Sequence, residues 1–156
     1  DFSNYLQLMP ESWPDIFSSG FIITLVSCFM IVASDIGSYS FGIKYGRRPL
    51  SPISPSKTIE GAIGGVLSSV FIGIISGIFL QWKNGIFLGA FLGVFVALFA
   101  LVGDLVESMM KRDAGIKDSG NAIPGHGGIL DRIDSYLFVP AVIYYSLVLI
   151  FPLINS

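Results

Sequence analysis

The sequence predicts an all-α fold: a polytopic integral membrane helical bundle of about four transmembrane spans, with two polar loops on the cytoplasmic side. Three observations lead there. The 156 residues are 53% hydrophobic and only 13% charged, with a mean hydropathy of +0.74, whereas soluble domains carry about 25% charged residues. The apolar residues fall in runs of roughly 20, the length at which a helix crosses the hydrocarbon core of a bilayer. The charges collect between those runs, and eight of the nine Lys and Arg lie in 40–58 and 107–134. The length suits a single membrane-embedded domain over 1–156.

Residues 1–15 hold three acids, no Lys or Arg, and two prolines, Pro10 and Pro14. They read as a loop or an interfacial segment, with Trp13 at the depth where aromatic belts form, or as a truncated edge. The chain starts at Asp1 with neither Met nor a basic leader, as a fragment or a chain with its start removed would. The first span runs from Phe17 to about Tyr39. Asp35 lies near its far end, where a carboxylate either faces the bundle with a function or is wetted by the interface. Cys28 sits within this span as a small apolar residue. One Cys and one His allow neither an internal disulfide nor a typical structural zinc site.

Residues 40–58 form a proline-containing basic loop with Lys44, Arg47, Arg48 and Lys57. Its end, Ser54-Pro-Ser-Lys57-Thr58, gathers hydroxyls and an ammonium ahead of a helix start. That pattern is either an anion site on the helix N-terminus or an ordinary N-cap. Ile59–Leu80 and Gly85 to about Leu105 are the second and third spans, joined by a tight turn over 81–84 into an antiparallel hairpin. Their glycines recur every four residues (Gly61 and Gly65, Gly73 and Gly77, Gly85, Gly89 and Gly93), which lets backbones approach closely. Tyr136 to about Leu153 is the fourth span, with Pro140 as a tolerated kink. This arrangement puts both basic loops on one side, the cytoplasmic side by the positive-inside rule.

The interval from Gly103 to Asp134 is the longest polar stretch. It carries six acids, four bases, the one His and six glycines. If the third helix continues through Arg112, then Asp104, Glu107 or Ser108, and Lys111 share one face. Asp104 lies closest to the apolar core, where an unpaired carboxylate is costly. Gly125-His126-Gly127-Gly128 can form an anion nest, and Asp131 and Asp134 lie one turn apart on the next helix. Oxygen ligands of this kind suit Mg2+, which takes one or two carboxylates plus substrate phosphates. The surrounding cations suit phosphate oxygens. The constellation points to phosphoryl or nucleotidyl transfer at the membrane surface. His126 reads as a proton-transfer or phosphate-donor group, or as a loop residue bonding the backbone. Glu107, Asp113 and Asp118 have salt bridges to Lys111, Arg112 and Lys117 as their plainer reading, which for Asp113 is the better one. There is no Walker loop, nucleophile elbow or dinucleotide fingerprint.

Ser108-Met-Met-Lys111-Arg112, then Lys117-Asp118, then Pro124-Gly-His126-Gly-Gly-Ile-Leu-Asp131-Arg132-Ile-Asp134 resemble the signature of phosphatidate cytidylyltransferases (CDP-diacylglycerol synthases) of the bacterial or plastid type. Ser54-Pro-Ser-Lys57-Thr58-Ile-Glu60-Gly61 resembles a second motif of that family, with Ser56 where the family often has Lys. Asp35, Gly37, Tyr39 and Gly42 resemble its acidic segment. The resemblance implies an enzyme that condenses CTP with phosphatidic acid to CDP-diacylglycerol and pyrophosphate in phospholipid biosynthesis, with Mg2+ and K+ as cofactors. It implies that this chain is the C-terminal catalytic part of a longer homodimeric protein. The membrane would be a bacterial inner membrane or a plastid membrane, with the site on the cytoplasmic or stromal side and no nucleic acid as partner. Asp104, Asp131 and Asp134 would hold or support metal. Asp104, Lys111, His126 and Asp131 would form the catalytic set. Substrates would meet Ser54, Lys57, Lys111, Arg112, Lys117, Asp118, His126, Gly127, Gly128 and Arg132. Two alternatives remain in view: a CTP-dependent polyprenol or phytol kinase, and an ion-coupled transporter using Asp35, Asp104 and Asp131.

Overall fold

A computed structural model describes residues 19–51, 54, 56–82, 84–116, 136, 139, 143 and 145. Three helices account for most of them: α1 (Ser19–Tyr45), α2 (Ile59–Phe79) and α3 (Gly85–Asp113). Each is long and apolar enough to cross a membrane. No strand occurs among the described residues, and an isolated β-bridge joins Pro49 to Thr58.

The helix ends have local causes. α1 continues six residues past the expected boundary at Tyr39. Nothing in Ser40–Tyr45 breaks a helix, the Phe41 and Tyr45 rings pack one turn apart with centroids 5.8 Å apart, and Lys44 complements the helix dipole in the last turn. α2 begins where expected because Thr58 caps it, its hydroxyl accepting from the Gly61 N–H at 3.1 Å. α3 extends well past Leu105 to Asp113, carrying the polar stripe on the same helix as the apolar span. The α2–α3 turn places Gln81 and Asn84 at positive φ (54° and 56°). Trp82 is buried there, and its backbone N–H donates to the Gly77 carbonyl at 3.1 Å.

Backbone-to-backbone contact holds the three helices together. A methyl group on Gly73 would strike the Gly89 carbonyl, and one on Gly77 would strike the Gly85 carbonyl. One index falls by four as the other rises by four, which is an antiparallel register. On its other side α2 offers Gly61 and Gly65, where a Cβ would strike Ser38 of α1. The packing role expected for these glycines is therefore what they perform. α2 packs along both α1 and α3, which touch each other far less. Hydroxyls in the spans turn back on their own helix: Ser27 donates to the Ile23 carbonyl at 2.6 Å and Ser68 to that of Gly64 at 2.9 Å.

The apolar core lies between the first halves of α1 and α3, around Met30, Ile31, Leu92 and Val96. Val139 and Ile143 join it, and both are helical, as are Tyr136 and Tyr145. The expected fourth span otherwise lies outside the described residues. Large apolar side chains face outward along the helices, for example Ile63, Leu67 and Phe71 on α2, as a lipid-facing surface requires. The C-terminal halves of α1 and α3 diverge from this core and meet the start of α2, so the two polar segments share one end of the bundle.

Replacing Gly73 by Leu is expected to separate the α2–α3 seam and cost about 1–3 kcal/mol, read as a lowered unfolding midpoint in detergent. Leu67→Ile on the outward face is expected to stay within about 0.5 kcal/mol.

Candidate functional site

Where the helices diverge they enclose a cavity of about 590 Å³, within the size range of small-molecule sites. α1 contributes Ser34, Asp35, Ser38 and Tyr39, and the α1–α2 segment contributes Ser56, Lys57 and Thr58. Ala97, Ala100, Leu101 and Asp104 come from α3. The wall is apolar toward the bundle core and polar toward the helix ends.

Its central feature is an ion pair between the Lys57 ammonium and the Asp104 carboxylate. The two groups come from segments 47 residues apart. Both side chains are largely covered, at 27% and 29% exposure, so each would be costly without a counter-charge. Asp104 sits on the inward face of α3, one turn before Glu107. Glu107 is buried, and its Oε2 pairs with Lys111 Nζ at 3.0 Å. Its Oε1 is also buried and accepts no hydrogen bond among the described residues. The expected stripe of Asp104, Glu107 or Ser108, and Lys111 therefore forms, with Glu107 as the salt-bridge partner of Lys111. Arg112 and Asp113 point outward into solvent. Among the described residues Asp113 makes no ion pair.

The segment that delivers Lys57 is clasped to its surroundings. The Leu50 N–H donates to the Lys57 carbonyl at 2.7 Å, the Ile59 N–H to that of Arg48 at 3.0 Å, and the Lys57 N–H to that of Ser54 at 3.1 Å. Ser54 is buried and supplies this turn; Ser56, not Ser54, lines the cavity. The Ile59 and Gly61 amides at the start of α2 are both occupied by protein acceptors. Thr58 is thus an N-cap, and contact with an anion here falls to the Lys57 side chain rather than to free amides.

Asp35 also lines the cavity. It is exposed, and with α1 running to Tyr45 it lies inside the helix rather than at its end. Ser34 and Ser38, one turn apart beside it, were not expected in a site; their i, i+4 spacing next to an intramembrane carboxylate was the available signal. Asp35 and Asp104 give the cavity two carboxylates, a donor set that fits Mg2+ when substrate phosphates complete the shell. Among the described residues no group of three or more acidic, His or Cys side chains is poised around a metal. Lys117, Asp118, His126, Gly127, Gly128, Asp131, Arg132 and Asp134 lie outside the described residues.

The model of the cytidylyltransferase family matches residues 5–151. The chain belongs to the cytidylyltransferase family. It is 50% identical over 149 residues to a phosphatidate cytidylyltransferase of Synechocystis, covering 94% of this chain and 51% of that one. It is 41% identical over 131 residues to the enzyme of that name from Bacillus subtilis, covering 83% and 49%. It is 42% identical over 125 residues to phosphatidate cytidylyltransferase 4, chloroplastic, of Arabidopsis thaliana, covering 80% and 32%. The chain spans about half or less of the length of these curated relatives. A solved intramembrane enzyme of archaeal membrane lipid biosynthesis shares the fold at a TM-score of 0.52 with 27% identity, each chain covered to 74%. That likeness agrees with the three helices long and apolar enough to cross a membrane among the described residues.

Removing one partner of the central pair strands the other. Lys57→Met and Asp104→Asn should therefore each destabilise the protein. The double variant should differ from their sum by about 0.5–3 kcal/mol, measured by unfolding in detergent. Simple additivity would show that the two groups do not interact.

Proposed function

We propose that the protein transfers a cytidylyl group from CTP to phosphatidic acid, giving CDP-diacylglycerol and pyrophosphate. The observation that carries this is the meeting of Lys57 and Asp104 in a cavity inside a membrane-type bundle of this family. A cation for phosphate and a carboxylate for a metal stand side by side, where a lipid head group can meet a nucleotide. The names of the relatives, phosphatidate cytidylyltransferase, support the same substrates.

The reaction exchanges one phosphoanhydride bond for another. A phosphate oxygen of phosphatidate attacks the α-phosphorus of CTP, the new P–O–P bond forms, and the α–β anhydride bond breaks to release pyrophosphate. The attacking oxygen is already anionic, so the barrier lies in bringing like charges together. Lys57 would turn from Asp104 to the triphosphate, leaving the Asp104 carboxylate available as an oxygen donor. Asp104 would hold Mg2+ with Asp131 and support from Asp134, with K+ as a companion ion; a bound metal neutralises charge on the phosphate oxygens. Lys111, Arg112, Lys117, Asp118, His126, Gly127, Gly128 and Arg132 would serve the substrate phosphates. The acyl chains stay in lipid along the outward helix faces. The basic segments support a site on the cytoplasmic or stromal side, and the membrane would be a bacterial inner or plastid membrane. The working unit would have four spans per chain and be a homodimer.

With phosphatidic acid and Mg2+, label from α-³²P-CTP should enter the lipid fraction, while label from γ-³²P-CTP should leave as pyrophosphate. Asp104→Asn and Asp131→Asn should each lower transfer by about 10²–10³-fold or more with membrane insertion intact. Transfer of the γ-label to an alcohol lipid would replace this reading by a lipid kinase. Substantial activity in either Asn variant would remove that carboxylate from the metal site.

A further inference from the structure

Glu60 lies in the first turn of α2, outside the residues that line the cavity. Its Oε2 accepts from two consecutive backbone amides across the loop, Arg47 N–H at 3.1 Å and Arg48 N–H at 3.3 Å. These amides follow directly on the last turn of α1, where the Gly46 N–H still finds the Gly42 carbonyl at 3.0 Å. Beyond them the chain pairs with the approach to α2: Arg48 with Ile59, then Leu50 with Lys57, around the Pro49–Thr58 bridge. The carboxylate is the outermost fastening of this short ladder. It ties the α1 end of the ladder to α2 through a side chain. Lys57 sits on the far rung, its carbonyl and amide both engaged, so the direction of its side chain follows from how the ladder closes.

We propose that Glu60 is a positioning residue: by binding the Arg47 and Arg48 amides it holds the α1–α2 segment closed and sets the Lys57 ammonium against Asp104. The carboxylate takes no part in the chemistry. A charged acceptor holds a pair of amides more strongly than a neutral one, and a Gln oxygen in the same place still accepts. A side chain one methylene shorter cannot span to both amides. The kinetic part of the idea rests on the proposed use of Lys57 for CTP phosphates; the structural part does not.

The test reads Lys57 directly, by mass-spectrometric measurement of its acylation rate with an amine-reactive ester in the full-length protein in lipid nanodiscs. Asp104→Asn sets the rate of an unpaired Lys57. Glu60→Ala should raise labelling of Lys57 about tenfold toward that limit and raise the KM for CTP, in a protein that still folds. Glu60→Gln should stay within about threefold of the unaltered protein in both. Glu60→Asp keeps the charge and should shift Lys57 in the same direction as Ala, which preserves the test if the Ala variant does not fold. Unchanged Lys57 labelling in folded Glu60→Ala or Glu60→Asp overturns the proposal. So does a Glu60→Gln protein that loses turnover while Lys57 labels at its original rate, since that outcome assigns the carboxylate to the chemistry. If the unaltered protein turned over no CTP, the proposed function would fall and the labelling series would still decide the role of Glu60.

Discussion

A charge held inside a helical bundle needs a partner within reach, and here Lys57 and Asp104 supply each other. Either group alone in this setting would carry a desolvation penalty. Their meeting requires that the segment after α1 fold back over the bundle and that α3 present Asp104 on its inward face. The cavity forms around this pair because the C-terminal halves of α1 and α3 part there, with the start of α2 between them. In the proposed reaction a nucleotide would offer phosphate for the ammonium and leave the carboxylate for a cation.

Close backbone approach makes that geometry possible. α2 is flanked by glycines on both faces, Gly61 and Gly65 against α1, Gly73 and Gly77 against α3. In lipid, where apolar side chains gain little by leaving their surroundings, such contact is a principal source of helix association. It draws α1 and α3 to either side of one thin helix, so that a cavity lined from all three fits between them. The Glu60 fastening and the Thr58 cap then fix the short segment that carries Lys57. The polar end is thus built from local hydrogen bonds on a frame set by glycine spacing.

Most of this frame was legible in the sequence. The second span begins at Ile59 as read, because a Thr cap follows a proline-rich segment. The tight turn over 81–84 announced the hairpin, the glycine spacing announced its close packing, and Lys57 and Asp104 were each singled out. Their pairing was not visible, since residues 47 apart in sequence meet only through the packing of three helices. The end of α1 was read too early: charged and Gly residues after Tyr39 looked like a loop, yet no residue there prevents a helix before Gly46. That error hid the place of Asp35, Ser34 and Ser38, which depends on how far the helix continues. Glu60 was seen as part of a motif without a role, because its partners are backbone amides, which a sequence does not display. Lys111 was assigned to substrate, and the structure shows it also committed to Glu107.

The account turns on the triphosphate binding in the cavity that Lys57 and Asp104 share. Photo-crosslinking with a CTP analogue bearing an azide on its terminal phosphate, followed by peptide mapping of the full-length protein in nanodiscs, tests that most directly. Adducts within 54–58 and on α3 near Asp104, suppressed by excess CTP, are the predicted result. CTP-protected adducts confined to other parts of the protein, with none on these two segments, would contradict it.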